Sequence, residues 1–241
     1  MAEKKLYFKL ICIGAGGTGG YFLKEFSRYL NGYMGNIKKL VLVDGDTVEE
    51  HNLARQCFQK EDIGFSKAAT LSDALHEAFG VQWDCFPVYL EKVEQLEHWL
   101  DIRKDEEIPV ILGCVDNHGA RMVMEEYFKK ADNCIYFDSA NEVQSGEVVL
   151  SYKFHGKQLS KLRSEIFPDV LRGDLRNVTE MSCEELNVVT PQHITVNMMA
   201  GLTLLTNVIG LIESNSVRPG MVCFNSFTMD SEYIPMTVEA E

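Results

Sequence analysis

The sequence predicts a doubly wound α/β fold: a mainly parallel sheet covered on both faces, with an antiparallel C-terminal extension. Three observations predict it. Apolar runs alternate with amphipathic segments in a βαβαβ rhythm, a glycine-rich turn joins the first strand to the first helix, and longer alternating strands appear late in the chain. With 241 residues, 46% of them hydrophobic and 24% charged, the chain has ordinary globular composition and length for one large core.

The elements follow in order. Leu6–Ile13 (LYFKLICI) is an apolar run long enough for a buried strand, and it leads straight into the glycines of 14–20. The next segment sets Tyr21, Phe22, Phe26 and Leu30 on one helical face. Lys39–Val43 reads as a second strand closing at Asp44, and 45–64 as loop and short turns. Ala69, Leu71, Leu75 and Phe79 give Ser66–Phe79 helical periodicity. Val81–Leu90 alternates like a third strand, and Lys92–Leu100 suits a short helix. Pro109–Val115 is a strongly apolar fourth strand, 117–131 a helix, and Cys134–Asp138 a fifth strand. Glu147–Phe154 and Met221–Met236 read as long antiparallel strands, separated by a polar stretch, 155–182, and an apolar helix at 192–213. No repeats or low-complexity tracts interrupt this order.

Composition excludes several classes of function. A net charge of −13 opposes a nucleic-acid or anionic-membrane binder, because phosphate contacts need a basic face. Any phosphate site must therefore be a local cluster of cations. Seven cysteines, at 12, 57, 85, 114, 134, 183 and 223, include no CxxC pair, so neither a disulfide framework nor a structural zinc site is expected. Reduced thiols and a cytoplasmic location are expected, with no signal peptide ahead of the first strand. Cys12, Cys114 and Cys134 fall on core strands and read as packing. The longest apolar stretch, Val196–Ile212, carries Asn197, Thr203, Thr206 and Asn207. It reads as a buried helix, too short and too polar for a bilayer span.

Gly14, Gly16 and Gly19 form GxGxxG between a strand and a helix, with Gly17 inside the turn. The first glycine permits the tight turn, the second lets backbone approach a phosphate, and the third lets helix and strand pack closely. The helix start then offers unpaired N–H groups and a partial positive charge to an anion. A nucleotide is therefore expected. Asp44, closing the second strand, is placed to accept hydrogen bonds from ribose hydroxyls, which suits NAD as well as ATP.

Asp46, Asn52, Arg55, Gln56 and Lys67 discriminate further. A dehydrogenase has no task for cations here, whereas a triphosphate needs several charges neutralised. "GAGGTGG", "LVDGDTVEEHNLARQ", "DIGFSKA" and "GCVDN" at 113–117, with Arg121 beyond, resemble the ThiF/MoeB/HesA family of ubiquitin-activating-enzyme-like adenylyltransferases over roughly residues 8–138.

The resemblance implies a single ThiF-type domain over 1–241: a nucleotide-binding core at 1–154, a crossover loop at 155–182, and a C-terminal helix and strands at 183–241. It implies that Asp44 holds the ribose, that Asn52, Arg55 and Gln56 contact the phosphates, that Lys67 neutralises them, and that Asp116 binds Mg2+. A helix N-cap is the other reading of Asp116. The implied reaction is ATP-dependent adenylation of the C-terminal carboxylate of a ubiquitin-like or sulfur-carrier protein. "SCEELNVVTP" at 182–191 makes Cys183 the candidate second-step nucleophile, against a small packed thiol as the alternative. The cations Lys157, Lys161, Arg163, Arg172 and Arg176 are candidates for meeting the substrate tail, and a homodimer is implied.

Three departures from the family pattern stand out. The paired zinc cysteines are missing, Asn187 and Thr190 replace glycines after the cysteine, and the arginine expected ahead of the first strand has no counterpart beyond Lys4 or Lys5. Adenylation of a small carboxylate or a tRNA base, and a non-catalytic partner subunit of the same fold, stay open as alternatives. The acidic charge counts against tRNA. Intact Arg55, Lys67 and Asp116 count against the non-catalytic subunit.

Overall fold

The apolar run that opens the sequence becomes β1 (Tyr7–Ile13), buried from Phe8 onward. Its alternate residues serve two cores: Phe8, Leu10 and Cys12 face one, Ile11 and Ile13 the other. A strand buried on both faces is what a parallel α/β sheet requires. The computed structural model describes residues 5–33, 35–168 and 192–238.

After β1 come α1 (Gly17–Gly32), β2 (Ile37–Val43), α2 (Lys67–Phe79), β3 (Asp84–Phe86), α3 (Val93–Leu100), β4 (Glu107–Gly113), α4 (His118–Lys130) and β5 (Cys134–Asn141). Then follow β6 (Ser145–Phe154), β7 (Lys157–Gln158), the short α5 (Arg163–Ile166), α6 (Ile194–Ser214), β8 (Gly220–Asn225) and β9 (Asp230–Pro235). In space the sheet runs β3-β2-β1-β4-β5-β6-β8-β9, with β7 beside β6. It is parallel from β3 to β5 and antiparallel beyond. The chain leaves β1 toward β2 on one side and later returns to β4 on the other. That switch opens a crevice at the carboxyl ends of the strands.

Helices α1, α2 and α6 cover one face, and α3 and α4 the other. Within this packing Trp83 Nε1 donates to Ser27 Oγ at 2.9 Å, beside the stacked rings of Phe22 and Phe26.

Four sequence expectations are corrected. The third strand is only Asp84–Phe86, not Val81–Leu90, because Pro87 has no N–H to give β2 and turns 87–90 toward the crevice. Met221–Met236 is a hairpin rather than one strand. Asn225 Oδ1 accepts from the N–H groups of Phe227 (2.9 Å) and Thr228 (3.2 Å), which closes the turn between β8 and β9.

The first part of the 155–182 stretch is not open loop. It pairs as β7 and then seats α5 on the sheet. Helix α6 is 21 residues long, enough by length and composition to cross a membrane. Its inner face (Val196, Ala200, Leu204, Val208 and Leu211) is buried against α1 and the sheet, while Ile194, Met198 and Leu202 face outward.

Candidate functional site

The glycine turn sits at the crevice, and its geometry explains its composition. Gly14 has φ +102°, and a Cβ there would lie 2.5 Å from the Cys114 carbonyl oxygen; at Gly19 it would lie 1.9 Å from the Gly14 carbonyl oxygen. No side chain fits at either position. Helix α1 then starts at Gly16 with no side-chain cap and no acidic residue in its first turn. By contrast, Ser66 caps α2 and Asn117 caps α4. The positive end of α1 is thus left for an anion.

Asp44 leaves β2 half-buried. Its carboxylate accepts from the N–H groups of Ala15 (2.6 Å) and Asp46 (2.8 Å), which joins the glycine turn to the next loop. Burial pushes its pKa up to about 6, helped by the Asp46 charge and partly offset by Lys67 and these two N–H groups. The loop after it closes on itself, Val48 N donating to Phe65 O and Gly64 N to Val48 O, both at 2.8 Å. That closure brings Lys67, the first residue of α2, back to Asp46. Its Nζ lies 2.9 Å from Asp46 Oδ2, and Tyr89 OH lies 2.7 Å from Oδ1. Burial raises the Asp46 carboxyl, but Lys67 and Tyr89 outweigh it and hold the group below its ordinary range.

Asn52 is buried and uses its Oδ1 to accept from Glu49 N–H at 2.9 Å, closing a 3-10 turn at Glu50–Asn52; its amide NH2 remains to be offered. Arg55 follows, half-buried, with no carboxylate within ion-pair distance among the described residues. Gln56 Oε1 is buried and makes no hydrogen bond among the described residues.

Across the crevice, Asp116 and Asn117 follow β4. The N-cap of α4 is Asn117, whose Oδ1 accepts from Ala120 N–H at 2.8 Å, so the capping role considered for Asp116 falls to its neighbour. A cavity of about 480 Å³ collects Gly14, Gly16, Gly17, Asp44, Asp46, Asn52, Arg55, Gln56, Lys67 and Asp116. Gly19 packs behind it, and Cys183 lies outside the described residues.

Two assignments change. Cys114 is not in a core strand; it follows β4 and lines the cavity, 3.9 Å from Cys12 Sγ. Arg163 does not wait for a substrate tail. It is 3% exposed and clamped by Asp138 (Nε–Oδ2 2.5 Å) and Glu147 (Nη1–Oε1 2.6 Å). The same Asp138 takes Arg121 Nε at 3.0 Å, and Arg121 Nη2 holds the carbonyls of Val115 (2.5 Å) and Ser139 (2.9 Å). Arg172 and Arg176 lie outside the described residues. Among the described residues no three His, Cys, Asp or Glu side chains converge as metal ligands. Segment 162–166 is held by the Arg163 ion pairs and by Ser164, which donates to Glu125 at 2.5 Å.

The sequence reading missed Tyr89, Ser139, Asn141, Gln192 and Asn197, which also line the cavity. Only Asn197 carried a signal, as an amide within an apolar run.

Residues 3–241 match the ThiF family. The chain belongs to it. ThiF-family relatives in sequence include ubiquitin-like modifier-activating enzyme 5 of Gallus gallus, 29% identical over 129 residues, which is 51% of this chain and 31% of that protein. SUMO-activating enzyme subunit uba-2 of Caenorhabditis elegans is 30% identical over 123 residues, 49% of this chain and 19% of that one. The chain therefore spans about a third or less of these curated relatives. Among solved structures, E. coli MccB with ATP matches at TM-score 0.68 and 16% identity, covering 95% of this chain and 64% of that one. PaaA matches at TM-score 0.61 and 16% identity, covering 96% and 65%. These structures share the fold of the ThiF domain described above.

Proposed function

We propose that this cavity binds ATP and adenylates a carboxylate, that of the C-terminal tail of a ubiquitin-like or sulfur-carrier protein or of a peptide. One observation carries the reading: the uncapped start of α1 opens on a cavity in which Arg55 has no carboxylate partner among the described residues. A polyanion satisfies both. A nicotinamide dehydrogenase leaves Arg55 and Lys67 without a task.

In this reading Asp44 receives the ribose hydroxyls, and Asn52, Arg55, Gln56 and the α1 N–H groups receive the phosphates. Lys67, oriented by Asp46, adds a fixed charge. The cavity volume falls within the range of ordinary ligand sites. Asp116 suits Mg2+, which takes one or two carboxylates together with phosphate oxygens rather than an all-protein cage. When bound, that ion neutralises the leaving pyrophosphate.

The step is attack of a carboxylate oxygen on the α-phosphorus. The bond from that phosphorus to its bridging oxygen breaks, pyrophosphate leaves with the electron pair, and an acyl-adenylate remains. No proton is transferred, so positioning and charge neutralisation supply the acceleration. In a second step the Cys183 thiolate attacks the acyl carbon and AMP departs, leaving a thioester. Support for a peptide or protein tail comes from the ThiF-family relatives named above and from the crystal structures of MccB with MccA. The outward stripe Ile194, Met198 and Leu202 on α6 supports a homodimer. We place the protein in the cytoplasm.

ATP–pyrophosphate exchange with candidate carrier proteins and peptide acids tests the first step. Exchange is expected only when a free carboxylate is supplied, and exchange without one contradicts the reading. For the second step, a thiol-sensitive adduct is expected in the wild type and absent in Cys183→Ala; an adduct that survives the substitution removes Cys183 from the reaction.

A further inference from the structure

The segment between β3 and α3 lines one wall of the cavity and is fastened from both sides. Gln95, in the first turn of α3, accepts on Oε1 from the N–H groups of Glu91 (2.8 Å) and Lys92 (2.9 Å), and its Nε2 donates to the Tyr89 carbonyl at 3.1 Å. The Tyr89 side chain runs the other way, to the loop after β2. Its ring lies on Gly45, where a Cβ would come within 2.6 to 2.8 Å of three ring atoms, so the ring takes the space a side chain at 45 would fill. Its hydroxyl donates to Asp46 Oδ1 at 2.7 Å. The other oxygen of that carboxylate takes Lys67 Nζ at 2.9 Å, and the Lys67 N–H donates to the Asp46 carbonyl at 3.0 Å. Lys67 is thus tied to one residue through both its backbone and its ammonium. Gln95, Tyr89, Asp46 and Lys67 form a chain of contacts that joins α3 on one face of the sheet to α2 on the other.

The last torsion of an aspartate is broad, so a single ion pair leaves the plane of its carboxylate undefined. A donor on each oxygen defines it. A lysine ammonium stands on a flexible four-carbon stem, and ordering that stem when a ligand arrives weakens binding unless the protein has ordered it beforehand. We propose that Tyr89 is a positioning residue: its hydroxyl fixes the Asp46 carboxylate, which in turn aims the Lys67 ammonium at the phosphates of the bound nucleotide. The proposal rests on the ATP reading above. An ammonium carries three donors, and among the described residues Asp46 takes one, which leaves the others for phosphate oxygens. The Tyr89 hydroxyl has a single proton and gives it to Asp46, so it is not a donor to the nucleotide. Against the upward push of burial, Lys67 and Tyr89 together hold the Asp46 carboxyl below its ordinary range, and the middle of the chain stays ionised. Tyr89 is 44% exposed, so its bond to Asp46 adds little to folding.

Calorimetry with ATP and NMR titration with adenosine, which has the ribose and no phosphate, test this on wild type, Tyr89→Phe, Lys67→Ala and the double variant. Tyr89→Phe keeps the ring on Gly45 and removes only the hydroxyl. It is expected to weaken ATP binding about fivefold, as for one hydrogen bond, while leaving the Kd for adenosine unchanged and moving Tm little. In the Lys67→Ala background the same substitution is expected to cause no further loss, because the ammonium it aims is gone. A loss for adenosine equal to that for ATP overturns the proposal, since the hydroxyl then acts on the nucleoside. So does a loss that persists in full without Lys67. ATP binding that is weakened by Lys67→Ala but unchanged by Tyr89→Phe keeps Lys67 at the phosphates and removes Tyr89 from the proposed role. Failure of the ATP reading is distinct: there wild type itself does not bind ATP, and the proposal falls with it.

Discussion

Asp44 beyond β2 and Asp138 in β5 are carboxylates at the same level of the sheet, on opposite sides of β1, and they are solvated in opposite ways. Asp138 is closed in ion pairs with Arg121 and Arg163, two buried guanidinium groups that also hold the carbonyls of Val115, Ser139 and Asp138 itself. Asp44 has two backbone N–H groups and, among the described residues, no cation in direct contact, and burial pushes its pKa up to about 6. On the Asp44 side, among the described residues, Arg55 lacks a carboxylate partner and Lys67 has one only in the half-exposed Asp46. The comparison teaches where the molecule invests its charges. The β4–β5–α5 side uses them to fix the scaffold around Asp116, and the β2–α2 side leaves them available.

Breaking the fixed side is expected to have the largest effect on stability. Asp138→Ala leaves two buried guanidinium groups without their carboxylate and is expected to cost about 4 kcal/mol in urea unfolding. Arg163→Met, which leaves Asp138 paired with Arg121 and Glu147 partly solvated, is expected to cost about 3 kcal/mol. A loss below about 1 kcal/mol for both would put these pairs with ordinary surface bridges.

Substitutions on the available side sharpen the contrast. Arg55→Ala is expected to weaken ATP binding by about 10- to 100-fold in calorimetry with little change in Tm, because it breaks no ion pair among the described residues. Lys67→Ala is expected to weaken ATP binding to a similar degree and also to cost about 1 kcal/mol of stability, since Asp46 loses its partner. Two variants that lose only stability would assign both cations to the scaffold.

A pH dependence tests the Asp44 side directly. The Asp44 carboxyl titrates higher in the folded protein than its ordinary value of 3.8, so between 3.8 and about 6 the folded state binds more protons than the unfolded. Its contribution therefore favours the fold at low pH and is lost as pH rises through that window. Relative to Asp44→Asn, wild type is expected to lose stability from pH 4 to 6 and to gain ATP affinity over the same range, as the carboxylate proposed to receive the ribose becomes ionised. Parallel profiles for the two proteins would contradict this.

Legibility in the sequence follows the same division. The glycine turn and the 44–67 cluster could be read because their chemistry is local: a strand end, a tight turn, and a loop that closes on itself through Val48 and Phe65. Val81–Leu90 alternates like a single strand, but Pro87 ends the pairing at Phe86. The Asp138 clamp could not be read. Its partner Arg163 lies 25 residues on, in a stretch whose polarity resembled open loop, and pairing across β5 and β6 is a property of the folded sheet. Asn197 was visible as an amide in an apolar helix, but its placement against Gly17 depends on how α6 crosses α1.

The central claim is that this cavity carries out ATP-dependent adenylation with Asp116 beside the phosphates. ATP–pyrophosphate exchange in the presence of a carboxylate substrate, comparing wild type with Asp116→Ala, tests it most directly. Exchange is expected in the wild type and is expected to fall at least about 100-fold in the variant. Undiminished exchange in Asp116→Ala would contradict the account.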